Sequence, residues 1–256
     1  MMNRQAVAFI GHGSPMNMIE DNSWTQKWLE LGQQLPRPRA ILMISAHWFT
    51  PGLYLQTAQQ PGMIYDMYGF PEEIYQIIYP SRTDKRLIDQ TETLLAPVPL
   101  HLDGQRGYDH GAYSVLLRMY PEADIPVVQL SVNRQATAEQ QLELGRQLAP
   151  LRESGVLIIG SGNVVHNLRA ADYRPGVYYP WAEAFDQAVK DRLQQQEPSS
   201  LSNWQNLPGA AQAVPLPDHF FPLLIAAGAA GTDAQPEIFN EDLTMGSLSM
   251  TSYVWH

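Results

Sequence analysis

The sequence lacks cysteine altogether. Disulfides and thiolate zinc sites are therefore excluded, so any metal that this chain binds must be held by nitrogen and oxygen ligands. A chain without disulfides fits the cytoplasm, where thiols stay reduced. We expect a soluble cytoplasmic protein, although other compartments remain open.

Long apolar runs and positive charge are also scarce. No apolar run approaches the roughly 18 residues that a membrane-spanning helix needs. The first short run ends at Gly11, as a strand does, and not in the cleavage site of a signal peptide. With 16 Lys and Arg against 26 Asp and Glu, the formal net charge is -10. Such a surface repels phosphate backbones and anionic membranes, so we expect neither as a partner; solubility alone explains the charge.

Strand-like and helix-like patterns alternate along the whole chain. With 256 residues, 45% of them hydrophobic, we expect one substantial core and a single domain over residues 1–256. The alternation predicts an α/β fold, a three-layer α/β/α sandwich around a mostly parallel or mixed central sheet. Strands are predicted at 6–10, 40–45, 53–57, 125–130, 156–159 and 248–255, helices at 24–35, 87–95, 138–151, 182–195 and 220–227, and a loop at 194–217.

Histidines are concentrated beside glycines and at the ends of apolar runs. Five of the seven have such surroundings, namely His12, His47, His110, His166 and His219. Imidazole is the commonest side-chain metal ligand, and the carboxyl ends of strands line the crevice where open α/β sheets bind ligands. We therefore predict a mononuclear metal enzyme. His101 and His256 lack these surroundings and are expected to take no part.

Simpler interpretations remain for the individual residues. His47 can be a satisfied core histidine, and Asp109 can either support His110 or cap the helix that follows. The Gly-x-Gly at 160–162 lacks the rest of a dinucleotide-binding fingerprint. No nucleophile elbow occurs, so Ser161 is interpreted as a loop serine and not as a nucleophile.

Five short motifs follow one another in a specific order. They are Gly-His-Gly-Ser-Pro at 11–15, Ser-Ala-His-Trp at 45–48, Tyr-Asp-His-Gly at 108–111, Gly-Asn-Val-Val-His-Asn-Leu at 162–168 and Asp-His-Phe-Phe-Pro-Leu-Leu at 218–224. Together they resemble the class III (LigB-type) extradiol ring-cleavage dioxygenases, in particular the branch that acts on DOPA. Met-Gly-Ser-Leu-Ser-Met at 245–250 adds to this resemblance, which covers nearly the whole chain.

The resemblance implies a three-layer sandwich with one metal in its central crevice. It makes His12 and His47 metal ligands, and His219 completes the set. His166 corresponds either to a further ligand or to the catalytic acid/base, and His110 to a residue that orients substrate or oxygen. The implied metal is Fe(II) in the active enzyme, with Zn(II) often in its place.

One difference from the common pattern of metal ligands bears on the identity of the metal. Many iron oxygenases hold their ion with two histidines and one carboxylate. Here the motif that would supply the third ligand offers His219, with Asp218 beside it. An all-nitrogen site favours zinc somewhat more than a carboxylate site does, so the sequence leaves iron and zinc open.

The implied reaction inserts O2 into a small-molecule catechol and gives a muconic semialdehyde. A catechol must lose protons to bind through both oxygens, so an imidazole base suits this chemistry; His166 is favoured over His110 as the general acid. Trp48 and Tyr113 are candidates to contact the ring, although core packing is the simpler role for each.

The alternatives to a dioxygenase are a zinc-dependent hydrolase that uses the same histidine site and a binding protein without turnover. We expect a monomer or a small homo-oligomer.

Overall fold

A mixed sheet of eight strands forms the middle layer of the protein. The structure is a computed structural model that describes residues 4–96, 98–174, 176–232 and 235–256. The strands are β1 (Val7–Gly11), β2 (Ala40–Thr50), β3 (Leu53–Gln56), β4 (Met63–Ile64), β5 (Leu100–Asp103), β6 (Tyr108–Asp109), β7 (Val127–Asn133), β8 (Val156–Gly162), β9 (Glu237–Phe239), β10 (Leu243–Thr244), β11 (Leu248–Ser249) and β12 (Ser252–Trp255).

The strand order of the large sheet is β5-β3-β7-β2-β8-β1-β12-β9. The four central strands β7, β2, β8 and β1 are parallel. β12 pairs antiparallel with β1, and β3 pairs antiparallel with β7, so the sheet is mixed at both sides. The predicted α/β fold with a mixed central sheet is confirmed. The pairs β4–β6 and β10–β11 form two further small sheets.

Helices cover both faces of the large sheet. They are α1 (Ser23–Gln34), α2 (Lys85–Leu94), α3 (His110–Met119), α4 (Ala138–Leu148), α5 (Pro180–Gln194), α6 (Ala210–Ala213) and α7 (Phe221–Ala230), with 3-10 helices at Pro15–Met18, Glu72–Gln76, Ala149–Ser154, Leu168–Ala170 and Pro198–Asn206. Among the residues that the structure describes, none of the helices combines the length and hydrophobicity that crossing a bilayer requires.

The side chains of the central strands alternate between the two faces. In β1, Val7 and Phe9 pack in the cluster that contains side chains of α4, α5 and α7, whereas Ala8 and Ile10 pack in the cluster of α1 and α3. Because successive residues of a strand point to opposite faces, strands that are apolar at every position need cover on both sides. The sandwich therefore follows from the apolar runs. α7 is buried along its whole length, in keeping with its uniformly apolar sequence.

The carboxyl ends of the central strands form the edge at which the site lies. β1 and β8 end side by side at Gly11 and Gly162. β2 continues past this level, and its pairing with β7 shifts register between Ile44 and Phe49. Such irregularities re-aim side chains next to active sites, and His47 lies inside this one.

The predicted loop at 194–217 is wrong in part. This segment contains the 3-10 helix Pro198–Asn206 and the short α6, and Trp204 is buried. The backbone N–H of His166 donates to the carbonyl oxygen of Ala213 at 2.9 Å. Proline is tolerated in the first turn of a helix, so the proline-rich composition is compatible with these short helices. The segment is an ordered wall beside the site.

Candidate metal centre

His12 is held at the sheet edge by a chain of two hydrogen bonds. Its Nδ1 lies 3.0 Å from Ser161 Oγ, and Ser161 Oγ donates to the carbonyl oxygen of Gly111 at 2.5 Å. A hydroxyl has one hydrogen, so Ser161 must accept from His12; Nδ1 therefore carries the proton and Nε2 keeps a free lone pair. Ser161 is buried inside β8, so its interpretation as a loop serine is wrong.

Asp66 joins His47 to His110. Its Oδ2 lies 3.0 Å from His47 Nδ1, and its Oδ1 lies 2.8 Å from His110 Nδ1 and also accepts from the backbone N–H of His110 at 3.1 Å. An ionised carboxylate can only accept, so each imidazole in its neutral form carries its proton on Nδ1 and leaves Nε2 unprotonated. Asp66 is not recognisable from the sequence patterns above, because its only signal is a carboxylate within an aromatic stretch.

The Nε2 atoms of His12 and His47 face each other at 3.3 Å. With both protons on Nδ1, this contact brings two lone pairs together, which is repulsive unless a cation lies between them. Two nitrogens bound at ~2.05 Å to one ion with a tetrahedral angle lie ~3.3 Å apart. The contact therefore fits two ligands of a single metal ion.

His219 completes a nearly equilateral triangle of imidazole rings with His12 and His47. The ring centroids are 5.1 Å apart for His12 and His47, 5.3 Å for His12 and His219, and 5.0 Å for His47 and His219. Asp218 Oδ1 lies 3.1 Å from His219 Nδ1. This oxygen accepts its hydrogen bond from the backbone N–H of His219, at 2.8 Å, and not from Nδ1. Among the described residues, this buried Nδ1 has no hydrogen-bond partner, which fits a metal ligand.

His166 lies flat against His219. Their ring centroids are 3.5 Å apart and their planes differ by 4°. The backbone of His166 is anchored on both sides, by its hydrogen bond to Ala213 and by a β-bridge to Leu248. Its ring nitrogens form no hydrogen bond with any residue that the structure describes. The ring is thus fixed in place while its nitrogens stay uncommitted.

The structure brings together the five histidines that the sequence analysis selected and leaves the other two outside. His101 stacks on Tyr54 at the edge of the sheet, and His256 lies 3.6 Å from Glu237 on the surface. Histidines at the carboxyl ends of strands therefore cluster as the sequence predicts, and their roles stay predictions.

Burial keeps most of the clustered imidazoles neutral. Burial, followed by the neighbouring histidines, lowers the pKa of His12 and His219 well below its usual value. Burial also lowers the pKa of His166 to about 4. Burial disfavours charge on His47 as well, but the hydrogen bond to Asp66 and nearby carboxylates outweigh it and raise the pKa. Neutral imidazole is the form that binds metal.

Comparison with known proteins gives the family. A family model described as the catalytic LigB subunit of aromatic ring-opening dioxygenase matches residues 6–255. This chain belongs to the LigB family. The motif resemblance is thereby confirmed, and a hydrolase that uses the same site is not favoured.

Similar proteins support the same conclusion. A protein of Escherichia coli (strain K12) named 4,5-DOPA dioxygenase extradiol is 44% identical over 254 residues, which is 97% of this chain and 94% of that protein. A Beta vulgaris protein of the same name is 37% identical over 258 residues, 98% of this chain and 96% of its own length. The crystal structure of an uncharacterized Escherichia coli K12 protein matches with a TM-score of 0.85 at 41% identity, covering 99% of this chain and 100% of the other.

In this LigB-family protein, the buried carboxylate of Asp109 binds three groups directly before His110 and α3. Its carboxylate accepts from the backbone of α3 at 3.1 Å, from Ser45 Oγ at 2.5 Å and from Arg106 Nη2 at 2.5 Å. Of the two roles left open by the sequence, Asp109 therefore takes the helix cap, and Asp66 supports His110.

The two predicted ring contacts are buried side chains. Trp48 is 5% exposed, and the guanidinium carbon of Arg106 lies 4.9 Å from its ring centroid. Tyr113 is fully buried in α3, with its hydroxyl 3.9 Å from Met67 Sδ. Burial favours the packing role for both residues, and their contact with substrate stays a prediction.

Gly162 allows the start of α7 to approach β8 closely. A Cβ at this position would lie 2.1 Å from the carbonyl oxygen of His219, which already accepts from the backbone N–H of Asn163 at 3.0 Å. The Gly-x-Gly at 160–162 thus serves close packing beside the histidine cluster.

Gly162→Ala is expected to destabilise the protein and to disturb the position of His219. The added Cβ meets backbone, so a shift must follow, and overpacking of this kind costs ~1–3 kcal/mol. Denaturant unfolding of the metal-free protein measures the loss. Gly62→Ala is the matched control, because a Cβ there meets nothing within 4 Å. Equal losses from the two substitutions would contradict the packing role.

Proposed function

We propose that this chain is an iron(II)-dependent extradiol dioxygenase that opens the ring of a catechol with O2. Its LigB-family membership supports the reaction class. The names of its relatives support a catechol that carries an amino acid side chain, such as DOPA, as substrate, and a muconic semialdehyde as product. The observation that carries the proposal is the triangle of imidazole rings at the carboxyl edge of the sheet.

We assign the metal to His12, His47 and His219. Two imidazoles bound at ~2.05 Å to one ion with a tetrahedral angle hold their ring centroids ~5.2 Å apart. The three separations here, 5.1, 5.3 and 5.0 Å, match this value. Three neutral nitrogen ligands on one side of an ion leave positions open for substrate and oxygen.

Other combinations of neighbouring groups fit one ion less well. Potential ligand atoms lie within 4.8 Å of one another in two groups, His12 with His47 and His110, and His166 with Asp218 and His219. Each group includes a pair of rings that is too close, because the centroids of His47 and His110 are 3.9 Å apart and those of His166 and His219 are 3.5 Å apart. Such pairs would bind one ion at angles of only ~65–75°. We therefore propose His166 as an acid/base and not as a ligand.

Iron(II) is the metal that this proposal requires. When bound, it supplies the redox chemistry of oxygen activation, which Zn(II) lacks. The nitrogen donors also suit zinc, so we expect zinc to bind as an inactive substitute.

His166 and His110 handle the protons of the reaction. His110 donates Nδ1–H to Asp66, so its Nε2 is fixed as an acceptor that can orient a catechol hydroxyl. Because burial lowers the pKa of His166 to about 4, its ring is neutral at pH 7, and its one unprotonated nitrogen can accept a proton from the substrate and return it later. We therefore assign the general acid/base to His166 and the orienting role to His110. Trp48 and Tyr113 remain candidates for ring contact.

Oxygen consumption tests the proposed function. Protein loaded anaerobically with Fe(II) is expected to take up O2 when L-DOPA is added and to form a yellow ring-opened product. The zinc-loaded protein is expected to do neither, since zinc offers no redox chemistry. No uptake by the iron protein across a panel of catechols would contradict the proposal.

We also propose that the protein works in the cytoplasm as a monomer or a small homo-oligomer. The absence of cysteine supports this location. Light scattering of the purified protein measures the oligomeric state.

A further inference from the structure

We propose that Asp66 is a positioning residue that fixes the tautomer of His47 and thereby sets the metal affinity of the site. This inference rests on the ligand role of His47 in the proposed function. The side chain of Asp66 is 24% exposed, and the residue lies two positions after β4 in the segment between β3 and α2.

The fold delivers Asp66 to the histidines through a short parallel ladder. β4 pairs with β6, so that Ile64 lies opposite Asp109, the residue before His110. The backbone N–H of Tyr108 donates to Gly62 at 2.8 Å and fixes the same register. Asp66 follows two residues after this ladder, which brings its carboxylate to His110 although the two are 44 positions apart in the chain.

The two carboxylate oxygens have different surroundings. Oδ1 accepts from two donors of His110, its backbone N–H at 3.1 Å and its Nδ1–H at 2.8 Å. Among the residues that the structure describes, the one partner of Oδ2 is Nδ1 of His47, at 3.0 Å. This asymmetry decides how an amide would sit in place of the carboxylate.

An asparagine at position 66 would have to turn its oxygen towards His110. The opposite orientation would direct the amide hydrogens at two N–H donors, so only one orientation satisfies the groups. The amide NH2 then faces His47 Nδ1, which must accept. The proton of His47 moves to Nε2, the atom that lies 3.3 Å from His12 Nε2 and that we assign to the metal. Asp66→Asn thus blocks one ligand while it preserves the tautomer of His110.

Zinc affinity of the metal-free protein, measured by competition with a chromophoric chelator, tests this inference without any turnover. Asp66→Asn is expected to weaken zinc binding by ~10–100-fold, the range found for outer partners of metal-bound histidines. Glu73→Gln, a nearby exposed carboxylate on the 3-10 helix Glu72–Gln76, is the control and should bind zinc like the parent. His47→Ala gives the loss expected when the ligand itself is removed.

Nitrogen NMR of histidine-labelled, metal-free protein provides a second readout that a merely structural role would not produce. In the parent protein, His47 and His110 should both carry their proton on Nδ1. In Asp66→Asn, His47 should carry it on Nε2 while His110 stays unchanged. If Asp66→Asn misfolds, the tautomer of His47 in the parent protein still tests the inference.

The inference is overturned if Asp66→Asn binds zinc like the parent while His47→Ala does not, or if His47 in the parent carries its proton on Nε2. Unchanged zinc binding in both variants overturns it as well, together with the ligand role of His47. A protein that shows the predicted affinities and tautomers but consumes no O2 would contradict the proposed function alone.

Discussion

His166→Ala is expected to lose nearly all turnover and to keep its metal. Positioned acid/base groups contribute ~10²–10⁴-fold to rate, so kcat with L-DOPA should fall by that factor. The metal should stay because His166 stacks on His219 at 3.5 Å, a geometry that does not suit two ligands of one ion. Steady-state kinetics of the iron-loaded variant, with elemental analysis of bound metal, measures both expectations.

The control for His166→Ala is His101→Ala. His101 is an exposed histidine that stacks on Tyr54 away from the cluster, so its loss should leave turnover unchanged. Equal losses of turnover in the two variants would contradict the catalytic assignment of His166. Loss of the metal from His166→Ala would make His166 a ligand and reopen the choice among the ligand sets.

His219→Ala is expected to lose both the metal and turnover. It removes one corner of the imidazole triangle, so zinc affinity should fall by more than the ~10–100-fold that loss of an outer partner causes. The backbone contact between His219 and Asn163 does not involve the side chain, so the fold should survive. The parent protein should gain ~2.7 kcal/mol of stability at zinc concentrations 100-fold above the dissociation constant, and the variant should gain far less. Thermal unfolding with and without zinc measures this difference.

Asp218→Asn is the matched control for His219→Ala. The amide oxygen can still accept from the backbone N–H of His219, so the local geometry is kept. Because Asp218 lies outside the proposed ligand set, this variant should keep its zinc-induced stabilisation. If Asp218→Asn loses the metal and His219→Ala does not, the ligand set is wrong.

The sandwich and the location of the site could be predicted because both depend on local patterns. The run Ile41–Ile44 is apolar at every position, which indicates a strand covered on both faces, and the structure has it in the centre of the sheet. The parallel strands then bring His12, His47 and His166 to one edge without any knowledge of the connecting segments. The order of the five histidine motifs along the chain then indicated the family.

The inner organisation of the site could not be predicted because it depends on contacts between distant segments. Asp66 reaches His110 through the β4–β6 ladder, and that ladder consists of two residue pairs whose members are 45 positions apart in the chain. Ser161 looked like part of a loop because glycines flank it, yet the glycines serve close approach between β8 and α7. The choice of three ligands from five histidines likewise depends on ring separations, which sequence spacing does not contain.

The most direct test of the central claim is the fate of oxygen atoms from isotopically labelled O2. The iron-loaded protein is expected to convert L-DOPA to a ring-opened product that carries both atoms of the labelled gas, provided that the aldehyde is reduced at once to prevent exchange with water. A ring-opened product with both labels would establish extradiol dioxygenase activity at this site. Turnover of L-DOPA without label from the gas in the product would contradict it.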